Sequence, residues 1–477
     1  MIKKITTSIL TLIFCGVCYG SEITSITTST FYDNQEISFE GTGFLTHSLD
    51  IEFLGGADGD IESATAGTVF AKTGWLVDPD CDTDACGTKA PRYDNSKKHS
   101  GSNSIISIIK DGAGYCPNYY GVDNCIQSGY SFDGTTAGGY FTWWVYFDDF
   151  ENADGQWKMW RYMLGSGYRD VDTTLESSQW YNTDETNKQA YLSVWYPVGE
   201  NLGSGGGFTP EIIIPQKTWC RVEVNIVPGV TGSIIYRVYK GGVVTEFFNE
   251  TTNIDGTAFR YVFQNLWGNH QITGTYSSDA EISIDDHYLQ TGTQARVEIV
   301  DTLNWEDRTH AEIQKPSVWD VAGTDITINI NQGSFPLGQA YLFVVDSTGN
   351  VSDQDSGTAG AQGLAVIFSA ATTPVVTLQA DKQATNPTTY TFEFSVEPGR
   401  TAAIVVSSGG GTVTCTDGNC FDDETETGVV SNVPVPSIDI LTVTDSALDS
   451  GNDSITLTLP TTNSSTKGST LKGGTLK

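Results

Sequence analysis

Trp144, Tyr146, Lys158, Trp160, Tyr162, Tyr191 and Trp195 fall at alternate positions of three short aromatic segments. Successive side chains of a strand point to opposite faces. Phe141, Trp143, Val145 and Phe147 therefore form one set, and Tyr140, Thr142, Trp144 and Tyr146 the other. Likewise Trp157, Met159 and Met163 alternate with Lys158, Trp160 and Tyr162, and Leu192 and Val194 with Tyr191, Ser193 and Trp195. The apolar sets predict core. The polar-aromatic sets predict a groove lined by Trp144, Tyr146, Lys158, Trp160, Tyr191 and Trp195. Such a surface suits a sugar, whose C–H faces stack on rings while its hydroxyls seek polar partners.

Two chemistries compete with simple binding on these residues. Glycoside hydrolysis needs two carboxylates facing each other, and in the segment Arg221–Asn225 only Glu223 is acidic, between outward Arg221 and Asn225. β-Elimination from a uronate needs a group that neutralises the carboxylate, a base for the C5 proton and an acid for the leaving oxygen. Lys158, Tyr162, Tyr191 and His270 are the candidates by type. They do not assemble into a complete set from spacing alone, so glycan binding is the leading expectation and a uronate-cleaving lyase the alternative.

The elements that must hold these residues are strands. Short alternating runs bounded by Gly, Asn, Asp and Ser recur throughout, at Ser104–Ile109, Tyr140–Phe147, Trp157–Met163, Tyr191–Tyr196, Glu211–Ile214, Arg221–Val227, Ser233–Tyr239, Arg260–Phe263 and Glu281–Leu289. No long 3.6-residue apolar period occurs, which predicts an all-β chain. The number and length of the runs predict a two-sheet sandwich.

At 477 residues the chain exceeds one ordinary core. Met1–Gly20, with Lys3, Lys4 and an apolar run from Ile9 to Val17, reads as a signal peptide and predicts a secreted or cell-surface protein. No later stretch approaches the roughly 18 apolar residues of a membrane span. A net charge of −33 spread along the chain argues against nucleic acid as a partner. Lys158, Arg161 and Arg169 could make a groove locally basic. Cys81 with Cys86, Cys116 with Cys125, and Cys415 with Cys420 are spaced for local disulfides in an oxidising compartment. Cys220, alternating with Val222 and Val224, reads as a buried free thiol.

Two resemblances organise the chain. His99–Ser104, Lys217–Glu223 and Glu281–Tyr288 are similar to strands of the concanavalin A-like lectin/glucanase jelly roll, over about residues 50–292. That family includes lectins, hydrolases and polysaccharide lyases. Ile23–Phe31 and Glu36–Phe44 resemble the opening strands of an IPT/TIG immunoglobulin-like domain, and Ala295–Val300, Val318–Ile330 and Gln339–Asp346 its remainder. Two strands cannot bury a core, so the expected order is residues 1–20 signal peptide, 21–49 and 293–372 a split IPT/TIG-like domain, and 50–292 an inserted jelly roll. Residues 373–460 are expected to form a further Ig-like module, and 461–477 a Ser/Thr/Gly/Lys-rich disordered tail. The jelly-roll resemblance also implies a structural Ca²⁺ where first and last strands meet, with Glu52 and Asp285 at matching positions.

Overall fold

The computed structural model describes residues 21–45, 47, 51–55, 59–72, 91–109, 138–148, 211–227, 231–252 and 280–370, with gaps at 321 and 355–359. The strands at 75–77, 127–131, 155–164, 175–184, 189–195, 209–214, 259–265, 375–380, 390–395, 402–406, 412–415, 425–431, 440–445, 454–458 and 471–472 are described by backbone pairing. The signal-peptide reading, His270, Arg169 and the pairs Cys81–Cys86 and Cys116–Cys125 lie outside the described residues, as does Cys420.

The chain is all-β: apart from one turn of α-helix at Gly59–Glu62 and one 3₁₀ turn at Trp305–Asp307, the described elements are strands. Three large sheets matter for the site. An inner sheet takes the order Val243–Thr252, Gly232–Lys240, Cys220–Val227, Gly139–Asp148, Ala280–Thr291, Ser104–Ile109, Arg92–Asp94, with Ile51–Leu54 also paired to Ala280–Thr291. An outer sheet runs Thr209–Ile214, Gln189–Trp195, Leu175–Asp184, Gly155–Leu164, Phe259–Asn265, Gln127–Ser131, Trp75–Val77. Together they are the two sheets of a jelly-roll sandwich.

The third, flanking sheet joins the two ends of the region. Its order is Glu22–Ile26, Glu36–Thr42, Asp325–Asn329, Ala311–Trp319, Arg296–Val300, Gly338–Val345, Leu364–Phe368, Thr30–Phe31. Strand Glu36–Thr42 pairs with Asp325–Asn329 through Phe39 opposite Ile326 and Ile37 opposite Ile328. Burying Ile23, Phe39, Phe44, Val297, Ile326 and Leu342 in one cluster is what two isolated N-terminal strands could not do, because each leaves an apolar face in water.

Alternation in the inner sheet holds along Gly139–Asp148. Phe141, Trp143, Val145 and Phe147 are fully buried, and across from them lie Val224, Val222 and Cys220. The opposite set is buried too. Tyr140, Thr142 and Trp144 are at most 5% exposed, because the flanking sheet's strands Arg296–Val300 and Ala311–Trp319 pack over them.

Beyond residue 372, strands pair into a five-stranded sheet, Thr412–Cys415, Thr425–Ser431, Tyr390–Ser395, Val375–Ala380, Leu471–Lys472, and a three-stranded one, Ala402–Val406, Ile440–Asp445, Ser454–Thr458. Thr377 lies opposite Lys472 and Leu378 opposite Leu471. The Cys415–Cys420 pairing cannot be read from the described residues.

Candidate functional site

The expected single groove divides between two sheets. Trp144 and Tyr146 belong to the inner sheet, whereas Lys158, Trp160, Tyr162, Tyr191 and Trp195 belong to the outer one. Trp144 is a correction to the groove expectation. Its indole Nε1 donates to Glu312 Oε2 at 2.9 Å and its ring stacks on His99 at 3.8 Å between centroids. Periodicity identified its face, but another layer of protein covers that face. Tyr146, half-buried, lies 5.4 Å from the Trp219 ring, with Lys97 Nζ 5.9 Å above its own.

In the outer sheet backbone pairing joins Phe259–Asn265, Gly155–Leu164, Leu175–Asp184 and Gln189–Trp195 in that order. Lys158 lies opposite Trp180, which lies opposite Ser193; Asn182 lies between Gln156 and Tyr191; Ser178 lies between Arg161 and Trp195. Tyr162 lies opposite Ser177 and Val262. A register shift falls between Lys158 and Trp160. It interrupts the strict alternation that put these two on one face, since a bulge flips every position beyond it. Trp180 and Asn182, on the unanticipated strand Leu175–Asp184, join the neighbourhood. Their segment mixes Ser, Gln and Asn with aromatics, too polar to stand out as a strand.

The polar groups of the inner sheet form a buried seam with the flanking sheet. Arg221 donates from Nε to Thr142 at 2.8 Å, from Nη1 to Glu298 at 3.0 Å and to the Ala311 carbonyl at 2.7 Å, and from Nη2 to the Tyr140 hydroxyl at 2.8 Å. Arg296 donates to Glu298. Glu223 accepts from Tyr140 at 2.8 Å, Tyr239 at 3.1 Å and Arg237 at 2.6 Å. Burial alone would raise both carboxyls. Arg237, Arg296 and Arg221 outweigh it at Glu223, and Arg221 and Arg296 at Glu298, so both titrate below the ordinary carboxylate range, Glu223 well below it. Glu223 is thus a structural anion, not one of a hydrolytic pair.

Of the two residues expected to hold calcium, Glu52 lies on Ile51–Leu54 and Asp285 on Ala280–Thr291, strands that pair with each other. Glu52 pairs with Lys72 at 3.1 Å and sits opposite Leu289. Asp285, opposite Trp144, accepts from the backbone amides of His99, Ser100 and Asp286 at 2.7, 3.2 and 2.9 Å. Burial, with the neighbouring Asp286 charge, pushes its carboxyl well above the ordinary range. Spacing could not reveal that the strand breaks step between Asp285 and Tyr288.

Beside Asp285 lies a cluster that motif reading missed. His99 Nδ1 is 2.7 Å from Asp286 Oδ2, and its Nε2 is 3.5 Å from Glu312 Oε1. His310 Nε2 is 2.8 Å from the same Glu312 oxygen. Burial would lower the His99 pKa, but Glu312 and Asp286 raise it. Spacing gave no signal here: His99 lies in the loop before Ser104–Ile109, more than two hundred residues from His310 and Glu312.

No protein-family model matches the chain, and no curated protein matches it. Solved structures show low-level likeness. An endo-β-1,4-glucuronan lyase from the fungus Trichoderma reesei is 14% identical, with 52% of this chain and 96% of that one covered and a TM-score of 0.34. The alginate lyase Aly36B is 12% identical, covering 54% and 98% at 0.29. An alginate lyase from Chlorella virus is 10% identical, covering 40% and 85% at 0.28. At such TM-scores, function must be argued from residues. Among the described residues no helix is long and apolar enough to cross a membrane.

Proposed function

We propose that this is a secreted or cell-surface protein that binds a polysaccharide on the outer sheet of its jelly roll. The observation that carries the reading is the register of that sheet, where positions of Lys158, Trp180 and Ser193, of Asn182 and Tyr191, and of Arg161, Ser178 and Trp195 adjoin. Rings, amides, hydroxyls and cations in neighbouring pairs are what a glycan surface requires. The inner sheet's polar-aromatic face is already occupied by the flanking sheet, which leaves the outer sheet as the recognition surface. Lys158 and Arg161 give it local positive charge in an acidic chain, favouring a uronate-containing polymer. The flanking sheet, as a split IPT/TIG-like domain, and the C-terminal strands, as an Ig-like module, serve as spacers.

A lyase acting by β-elimination is the second reading, favoured by one observation: Tyr191, a candidate proton-transfer group, lies opposite Asn182, an amide that could neutralise a uronate carboxylate. Incubating the protein with alginate, polyglucuronate and neutral glucans separates the two. Retention on a uronate polymer without unsaturated-product absorbance supports binding. Product absorbance that Tyr191→Phe abolishes makes the protein a lyase, and no retention on any polymer refutes both.

A further inference from the structure

Two imidazoles and one carboxylate converge where the loop before Ser104–Ile109 meets the start of strand Ala311–Trp319. His99 Nε2 is 3.5 Å from Glu312 Oε1, and His310 Nε2 is 2.8 Å from it. The Ser334 hydroxyl closes the figure at 3.2 Å from His99 Nε2 and 3.4 Å from His310 Nε2. Around a tetrahedral ion with bonds of about 2.0–2.2 Å, ligand atoms stand about 3.3 Å apart. These four of the six separations in the set straddle that value.

The groups behind these atoms hold them in the orientation a metal needs. Asp286 Oδ2 accepts from His99 Nδ1 at 2.7 Å, which leaves Nε2 as the lone-pair nitrogen facing Glu312. Asp286 is itself fixed by the Ser100 hydroxyl at 2.7 Å and the Asn331 amide at 3.0 Å. Trp144 Nε1 occupies Glu312 Oε2, so Oε1 is the oxygen turned toward both imidazoles. The His99 and Glu312 side chains are 2% and 0% exposed, whereas His310 is 25% exposed and gives an ion a route from solvent.

We propose that His99 Nε2, His310 Nε2 and Glu312 Oε1 bind one divalent transition-metal ion of the zinc class, with Ser334 Oγ or a water as fourth ligand. Imidazole and carboxylate donors suit zinc better than calcium, which takes six to eight oxygens. Because His99 comes from the jelly roll and His310 and Glu312 from the flanking sheet, the ion clamps the two together. The site stands apart from the outer sheet, so it survives or fails independently of the glycan reading.

The test uses the full chain after chelator treatment, titrated with zinc chloride by calorimetry and read again with Co²⁺ by absorption. The expected result is one ion per chain and a raised unfolding midpoint, since a ligand of the native state alone stabilises it. The Co²⁺ spectrum should show d–d bands without thiolate charge transfer. Asp286→Asn should weaken binding about 10–100-fold, and His310→Ala at least as much. His310 is partly exposed, so that variant should fold, which circular dichroism of the metal-free protein checks. Absence of stoichiometric uptake, or uptake equal in wild type and folded His310→Ala, overturns the site.

Discussion

Glu298→Gln removes one negative charge from the seam while preserving shape. The carboxylate holds Arg221 at 3.0 Å, Arg296, and the Tyr140 hydroxyl at 3.2 Å, and it is fully buried. Arg221 would keep Thr142, Tyr140 and the Ala311 carbonyl. Arg296 loses its carboxylate partner, and Glu223 becomes the one buried anion among Arg221, Arg237, Arg296 and Arg308. Breaking a buried pair by removing one partner costs about 3–5 kcal/mol, because the remaining charge stays desolvated. Urea unfolding of the full chain, followed by tryptophan fluorescence, should show a lowered midpoint of that size for the transition involving the inner and flanking sheets. Adding Arg296→Met should recover part of the loss by removing the stranded cation. A change below about 1 kcal/mol, the scale of an exposed ion pair, would mean that the seam is open to water and the packing of the two sheets is wrong.

The acid limb of stability should follow the same residues. Glu223 and Glu298 have folded pKa values depressed below the ordinary glutamate value of about 4.3. Their contribution is therefore complete above that pH and lost as pH falls through the depressed folded values; a midpoint-versus-pH series should fall less steeply there in Glu298→Gln. Cys220, buried with its thiol pushed up to about 12 by burial, should resist alkylation in the native protein and react on unfolding, as peptide mapping would reveal. Phe39→Ala should cost about 3–5 kcal/mol, because Phe39 packs edge-on against Phe44 at 6.2 Å within the flanking core; a wild-type midpoint would refute the joining of the N-terminal strands to that core.

Much of the strand pattern was legible because alternation is local. Expected Tyr140–Phe147 and Glu281–Leu289 lie inside observed Gly139–Asp148 and Ala280–Thr291. What covers the second face of a strand is not local. Tyr140, Thr142 and Trp144 have the composition of a ligand groove, yet Glu298 and Glu312, more than 150 residues away, satisfy their polar atoms. A hint lay in Arg296-Val-Glu-Ile-Val300, whose charges occupy the face opposite Val297 and Ile299 and need a buried partner. The shift between Lys158 and Trp160 has no sequence signature, and neither has the meeting of His99 with His310 and Glu312, which depends on how two sheets dock.

The central claim, glycan recognition by the outer sheet, is tested most directly by comparing the affinities of Trp195→Ala and Trp144→Phe for the polymer the panel selects. The account predicts that Trp195→Ala weakens binding by about 1–3 kcal/mol, the value of a lost aromatic contact. Trp144→Phe, which removes the bond to Glu312 and trims the ring stacked on His99 inside the seam, should leave affinity unchanged. Full binding by folded Trp195→Ala together with loss in Trp144→Phe would contradict it and return recognition to the inner sheet.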